Sequence, residues 1–390
     1  MNNIKVCLIF LLFYNLNYAQ KNKFEAIIKD AETLKPIEYV NIYCDEDISN
    51  NATGTISNEN GEFNFDSSNT KITFSHLNYE LLSVLLTPEI KEILLKPKQY
   101  VLDEIIVSNI NPRDYLKNIM NLTNKRIDKN TLLKSYCRET VKVKNEFTKY
   151  SDALIDYYVQ KGNGKSVLLL TQSRAIKNKN LDQEDDGSIN NKNSAFDVRD
   201  YVKKAYNFES IDKLLEDDNY EFERKIKKEA NGNEVEFVEI IPNEKSSEML
   251  KKGYIIIDPK TKSIVEFKIY TSDNHIKNAK TVNLLIAKVR INKTFIWSKF
   301  KIINNQYILT YNKKQVNMHI KIGTKLDQDF DYASDLFVYE FNKNVNLPAK
   351  GYGNKSIFEA GNNFTEEFWK KYNVYPLGTE TEKFINANQR

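Results

Sequence analysis

The stretch Gly54–Glu80, GTISNENGEFNFDSSNTKITFSHLNYE, leaves the chain little freedom of local structure. Thr55 and Ile56 lead into Asn60-Gly61, and Phe63 and Phe65 leave it on a single face. Asn-Gly between alternating runs is the strongest short-range signal for a β-hairpin, because both residues of a type I′ turn must accept positive φ. The expectation is two short strands joined at that tight turn, with a third strand over Thr70–Phe74.

The flanking residues extend this into a small sandwich. Lys23–Lys29 reads as a first strand, Asp30–Thr33 as a turn, and Pro36 forbids a central strand at its position. Tyr39–Cys44 alternates; Cys44 follows Val40 and Ile42 at period two and is expected in the core as a small hydrophobe. Asp45–Asn51 is a solvated acidic loop, and Leu81–Leu86 and Ile93–Leu95 complete the strand set. Together with DAETLKPIEYVNI at Asp30–Ile42, the stretch resembles the carboxypeptidase-like regulatory domain, a prealbumin-like β-sandwich of envelope proteins from Bacteroidetes-type bacteria. The resemblance implies such a sandwich over residues 20–97. Val101–Val107, VLDEIIV, is similar to the tail by which that module leads into whatever it is fused to.

The first nineteen residues read as an export signal. Lys5 supplies a positive start, Val6–Tyr14 an apolar run too short to span a bilayer, and Ala19 a small residue at the cleavage point. Cys7 lies too early for a lipobox, so a non-lipidated chain without a transmembrane span is expected in the periplasm or at the periplasmic face of the outer membrane. The 57 basic and 53 acidic residues nearly balance and are mixed along the chain, which argues against a nucleic-acid partner. Cys44 and Cys137 remain after cleavage; both are read as free thiols, too far apart to make a disulfide framework.

Residues 98–130 are read as linker and helix. Pro112 opens the helix, which is expected to bury Tyr115, Ile119 and Leu122. Thr131 to about residue 350 is a larger antiparallel domain. Lys134–Thr140, Tyr150–Val159 and Ser166–Thr171 alternate as strands, Asp200–Glu216 carries helical spacing, and hairpins follow from Tyr220. Val316, Met318, Ile320 and Ile322 share one face, with Asn317, His319 and Lys321 on the other. Successive hairpins with one wet face describe a curved antiparallel sheet, similar at the level of fold to periplasmic lipoprotein-carrier half-barrels. The tail 351–390 holds a short helix at Thr365–Tyr372. Roughly 280 residues after the sandwich are too few for a plugged 22-strand outer-membrane barrel.

The sequence carries none of the common catalytic motifs. His76, His275 and His319 lack a metalloprotease spacing, and neither a G-x-S-x-G elbow nor a phosphate-binding loop occurs. Arg138 beside Cys137 could lower a thiol pKa, though a strand cysteine without a histidine partner reads as structural. Asp182, Glu184, Asp186, Ser188 and Asn190 fall at calcium-loop spacing around Gly187, but Asn193 replaces the final bidentate glutamate, so a solvated loop is the default. Trp297 is expected in the core. The reading is a mainly β, exported, non-catalytic envelope accessory or binding protein. It uses no cofactor and partners another envelope protein or an outer-membrane component. The alternatives are a hydrolase whose site assembles only in three dimensions and a carrier of an apolar ligand in the curved sheet. The sandwich and the larger domain are expected to unfold separately.

Overall fold

The computed structural model describes residues 22–44, 54–67, 70–76, 78–98, 100–105, 110–160, 165–179, 195–229, 234–303, 305–363 and 376–388. The export signal, the acidic loop Asp45–Asn51, the calcium-spaced loop Asp182–Asn190, the helix at Thr365–Tyr372 and Trp369 lie outside these residues.

The expected sandwich is present. Strands β1 (Asn22–Asp30), β4 (Glu62–Ser67) and β7 (Glu92–Leu95) form one sheet, in the order β4-β1-β7. Strands β2 (Asn41–Cys44), β3 (Gly54–Ile56), β5 (Lys71–Ser75) and β6 (Leu82–Leu85) form the other, in the order β3-β2-β5-β6. Between them Phe24, Ile28, Ile42, Cys44, Phe63, Phe65, Ile72 and Phe74 make a dry core. Cys44 and Cys137 are both buried free thiols.

The turn at Asn60-Gly61 differs from expectation. Strands β3 and β4 do not pair; they lie in opposite sheets, and the turn carries the chain across the sandwich. Gly61 has φ of +73°, but Asn60 is not in the left-handed region, so the turn is not type I′. Asn58 organises it instead. Its backbone N–H donates to Glu62 O at 2.9 Å, its carbonyl accepts from Gly61 N–H at 3.0 Å, and its side-chain Oδ1 accepts the N–H groups of Asn60 and Glu62, each at 2.9 Å. A side-chain acceptor closing its own turn relieves the need for positive φ at Asn60.

The remaining strands make a third, larger sheet, which is antiparallel. They are β8 (Tyr100–Ile105), β9 (Thr131–Val143), β10 (Glu146–Val159), β11 (Ser166–Lys177), β12 (Tyr220–Glu229), β13 (Glu234–Pro242), β14 (Lys251–Asp258), β15 (Ser263–Thr271), β16 (Thr281–Leu284), β17 (Ala287–Ile303), β18 (Gln306–Ile322) and β19 (Leu326–Asn342). Their order is β11-β10-β9-β19-β18-β17-β15-β14-β13-β12-β8, with β16 paired to β17 off that path. Segment 100–105, expected to be a linker, is therefore the edge strand beside β12.

One face of the large sheet is covered by helices. Helix α1 (Pro112–Asn124) starts at Asn111, whose side chain accepts from Arg113 N–H at 2.8 Å. It buries Leu116, Ile119, Met120 and Thr123, whereas Leu122 is 37% exposed. The buried arc is thus centred one residue away from the face expected. Arg113 accounts for the rotation: its guanidinium donates to the carbonyls of Leu215 (2.6 Å) and Asp217 (2.9 Å), at the end of the helical segment that follows residue 208. The helical spacing at 200–216 is realised as two pieces, α2 (Tyr201–Tyr206) and α3 (Glu209–Leu215), broken where Phe208 adopts φ of +51°. Val202, Ala205, Ile211 and Leu214 are buried, as their period requires. They join Cys137, Ile155, Tyr157, Phe267 and Phe300 of the sheet in the main core.

On this helix face Glu139 accepts from Ser356 Oγ (2.6 Å), Ile357 N–H (3.0 Å) and Tyr201 OH (3.1 Å). Burial pushes its carboxyl up to about 7 against those three donors, from an ordinary 4.5. The folded chain thus holds this proton more tightly than the unfolded chain, and stability falls as pH climbs between those two values. Glu139→Gln should lose that slope. In calorimetric scans the wild-type Tm should fall relative to the variant up to about pH 7 and run parallel to it beyond.

Candidate binding cleft

The opposite face of the sheet carries the sandwich, and strand alternation decides what is found there. Cys137 and Arg138 are sequence neighbours and so point to opposite faces. Burial pushes the Cys137 thiol well up, with Glu139 and Asp335 adding to the rise, so Arg138 does not activate it. Arg138 instead joins a row running across the sheet. Register places Arg174, Asp152, Arg138, Asp335, Lys313, Trp297 and Lys268 side by side on β11, β10, β9, β19, β18, β17 and β15. The charges alternate in sign over the first five, the arrangement in which cross-strand pairs stabilise a sheet.

Most of this row is buried, and its members satisfy one another. Arg174 grips Asp152 through Nη2 at 2.6 Å and Nε at 3.0 Å, and Asp152 also accepts from Tyr150 OH (2.7 Å) and Tyr136 OH (3.0 Å). Arg138 Nη2 reaches Asp335 at 2.8 Å, and Tyr311 OH donates to the same carboxylate at 2.7 Å. Burial alone would raise the Asp335 carboxyl; Arg138, Lys313 and the Tyr311 hydroxyl outweigh it and hold it below the usual range. Trp297 Nε1 donates to Glu266 at 2.7 Å, and Tyr254 OH to the same oxygen at 2.9 Å.

Tyr39 links this row to the sandwich. It sits just before β2 at φ of +59°, a conformation that turns a bulky residue out of strand geometry. Its ring lies 5.2 Å from that of Trp297, edge to face. Lys313 donates to its hydroxyl, and Lys299 donates to its carbonyl at 2.8 Å. Burial pushes the Lys299 ammonium down to about 8, with Glu266 opposing the fall. Tyr39 and Ile56 complete an aromatic cluster with Tyr136, Leu154, Trp297, Tyr311 and Phe337, so the sandwich and the sheet share a core at this point.

Beside that contact a cleft of about 590 Å³ opens between the two parts. Arg138, Lys313 and Asp335 of the row lie in it. Glu38, Tyr39 and Glu59 of the sandwich line one side, Lys142 and Phe147 another, and Asp273, Lys293 and Phe295 a third. Thr381 of α4 (Thr379–Asn388) completes the lining. The volume falls within the range of small-ligand sites.

The three histidines lie apart from one another and from this cleft. His76 stacks edge-on against Tyr79, with ring centres 5.2 Å apart, and burial pushes it down to about 2, with Lys299, Lys98 and Lys268 adding to the fall. His275 is buried between Ser272 Oγ (3.0 Å) and Asn243 O (3.1 Å). His319 lies between Asp327 (2.8 Å) and Asp329 (3.0 Å) on the surface. Among the described residues no group of three His, Cys, Asp or Glu side chains could hold a metal ion. Trp297 is buried as expected. Sequence reasoning missed the cleft because its walls come from strands far apart in the chain; Arg138 and Asp335 are separated by 197 positions. The one local signal was a charged residue at a strand position whose same-face neighbour, Tyr136, is a large aromatic.

No family model matches the chain, and no curated protein matches it either. Three solved structures align with part of the chain at 10% identity. A LolA superfamily protein from Nitrosomonas europaea aligns over 60% of this chain and 94% of its own, with a TM-score of 0.25. A DUF1329 family protein from Desulfovibrio piger aligns over 61% and 96%, with a TM-score of 0.24. Lipovitellin aligns over 63% and 29%, with a TM-score of 0.27. Likenesses this distant carry no argument about function. No helix among the described residues is long and apolar enough to cross a membrane.

Proposed function

We propose that this chain is an exported, non-catalytic envelope binding protein whose partner occupies the cleft between the N-terminal sandwich and the large sheet. We also propose that the sandwich is a module of the carboxypeptidase-like regulatory type; its two sheets of three and four strands, with β7 parallel to β1, support that reading. One observation carries the binding function. The cleft floor is a mutually neutralised pair, Arg138–Asp335, braced by Tyr311, while the walls offer both signs of charge beside Phe147 and Phe295. A floor whose charges are committed to each other is a rigid platform, not a reactive centre. Walls of mixed charge with aromatic faces suit a polypeptide segment carrying both signs.

A photo-reactive amino acid at Phe295 tests this in intact cells. It should give one discrete adduct with an envelope protein, and adding Lys142→Glu and Lys293→Glu should cut its yield about tenfold, as expected when rim charges that steer association are reversed. An unchanged adduct in that variant would remove the cleft from the binding site. Turnover of an ester or amide that is lost on Asp335→Asn would replace binding by hydrolysis.

A second reading, a carrier of an apolar ligand, draws on the other face of the curved sheet. Phe208, Phe267, Phe300 and Tyr307 pack together there beneath α2 and α3. Because the chain's own helices fill that face, a ligand enters only if they swing aside, with Phe208 as the strained joint between them. Saturable one-to-one binding of an apolar fluorophore, lost when α3 is cross-linked to the sheet, would favour this reading.

A further inference from the structure

The geometry points to a membrane-inserting tip at the β16–β17 hairpin, seating that end of the large sheet on a bilayer that carries anionic lipid. Strands β16 and β17 pair Leu284 with Ala287, which leaves Leu285-Ile286 as a two-residue turn. Such turns are normally made of Asn, Asp and Gly, because at least one residue must adopt positive φ and all of them face water. Here Leu285 adopts φ of +34°, and Leu285 and Ile286 are 110% and 81% exposed. Val282 and Leu284 on β16 are also more than half exposed. Among the described residues strand β16 pairs only with β17, off the path of the main sheet, and all four of its residues are exposed. A strained turn made of exposed aliphatic residues has no folding rationale in water.

The charge around the tip identifies the occupant. From Asn274 to Lys293 the chain carries Lys277, Lys280, Lys288, Arg290 and Lys293 and no acidic residue. The acidic groups that approach from neighbouring elements already have partners, and two of those partners, Asn292 for Asp329 and Asn274 for Glu244, belong to this segment. Asp327 binds Lys321 and His319, Asp329 binds His319 and Asn292, and Asp273 binds Lys252 at 3.0 Å. Apolar tips set in a basic collar match a headgroup layer with acyl chains beneath it. A protein partner fits less well: a two-residue convex tip cannot bury the roughly 800 Å² per side that a stable protein interface needs. The inference is independent of what binds in the cleft, although β17 leads from the tip to the cleft-lining residues Lys293 and Phe295.

The test is co-sedimentation of the full chain with phosphatidylcholine vesicles, with and without about 30% phosphatidylglycerol. Wild type should pellet with the anionic vesicles and be released as salt rises. Leu285→Gly with Ile286→Asn relieves the strained turn while deleting the apolar tip, so it should fold at least as well and bind about tenfold more weakly. Lys288→Gln with Arg290→Gln should weaken binding to anionic vesicles only. A tryptophan placed by Ile286→Trp should shift to the blue on binding and be quenched by brominated acyl chains. Absence of wild-type binding to either vesicle, or equal binding by the Gly-Asn variant, overturns the proposal. So does a wild-type dimer in sedimentation velocity that the Gly-Asn variant dissolves without any vesicle binding, which would make the tip a contact between copies.

Discussion

Asp152→Ala is expected to destabilise the protein by about 3–5 kcal/mol, the cost of leaving a buried charge without its partner. Asp152 is fully buried and takes four hydrogen bonds, two from Arg174 and one each from Tyr136 and Tyr150. Deleting the carboxylate removes the ion-pair partner of a guanidinium whose residue is 6% exposed and the acceptor shared by two phenol hydroxyls, which keep their mutual contact at 3.3 Å. The size of the effect reflects the loss of a buried countercharge more than the intrinsic strength of the ion pair, because burying both charges is itself costly. A variant that removes both charges separates the two. Asp152→Leu with Arg174→Met should recover at least half of the loss, since neither charge is then left alone. Urea titration of both variants checks this; a double variant no more stable than Asp152→Ala would show that packing around Tyr136 and Tyr150, not charge, sets the cost.

Gly61→Val should cost about 3–4 kcal/mol, adding the penalty of a β-branched residue at positive φ to that of overpacking. A Cβ at this position would lie 2.5 Å from the carbonyl oxygen of Ile28 and 3.0 Å from Pro36 Cβ, both parts of the sandwich frame. The Ile28 N–H donates to Gly61 O at 2.8 Å, so the two segments cannot separate without losing that bond. From the sequence, only the sandwich's own transition is expected to move. The structure changes the expected outcome to one cooperative transition for the whole chain. The turn adjoins Ile37, and two residues on Tyr39 enters the core shared with Trp297 and Tyr311. Calorimetry of Gly61→Val decides between one shifted transition and a shifted plus an unshifted one.

Much of the local structure was legible from the residues alone. Period-two alternation placed Phe63, Phe65 and Cys44 inward, and Asn111-Pro112 marked a helix start that the structure reproduces. Helical spacing identified the buried residues of α2 and α3, though not the break at Phe208, which tertiary packing against Phe267 and Phe300 accompanies. The misplaced face of α1 has a similar cause: Tyr115 and Leu122 have the right spacing, but Arg113 is anchored to the end of α3 and sets the rotation.

What only the tertiary structure decided is which strands become neighbours. Alternation tells a residue which face it occupies and says nothing about who stands beside it, because pairing is a long-range choice made by the whole sheet. Asn60-Gly61 could not reveal that β3 and β4 belong to opposite sheets. Arg138 reads in the sequence only as the neighbour of Cys137; its partner Asp335 is set by the pairing of β9 with β19. The run Thr281 to Ile291 reads as one more strand of the meander; the structure breaks it at Leu285-Ile286 and leaves β16 off the main path of the sheet, with Val282 and Leu284 more than half exposed. Sequence by itself determined the elements and their inward faces, since those follow from backbone geometry within a few residues. The cleft, the charged row and the exposed tip follow from register between segments distant in the chain, which no local pattern encodes.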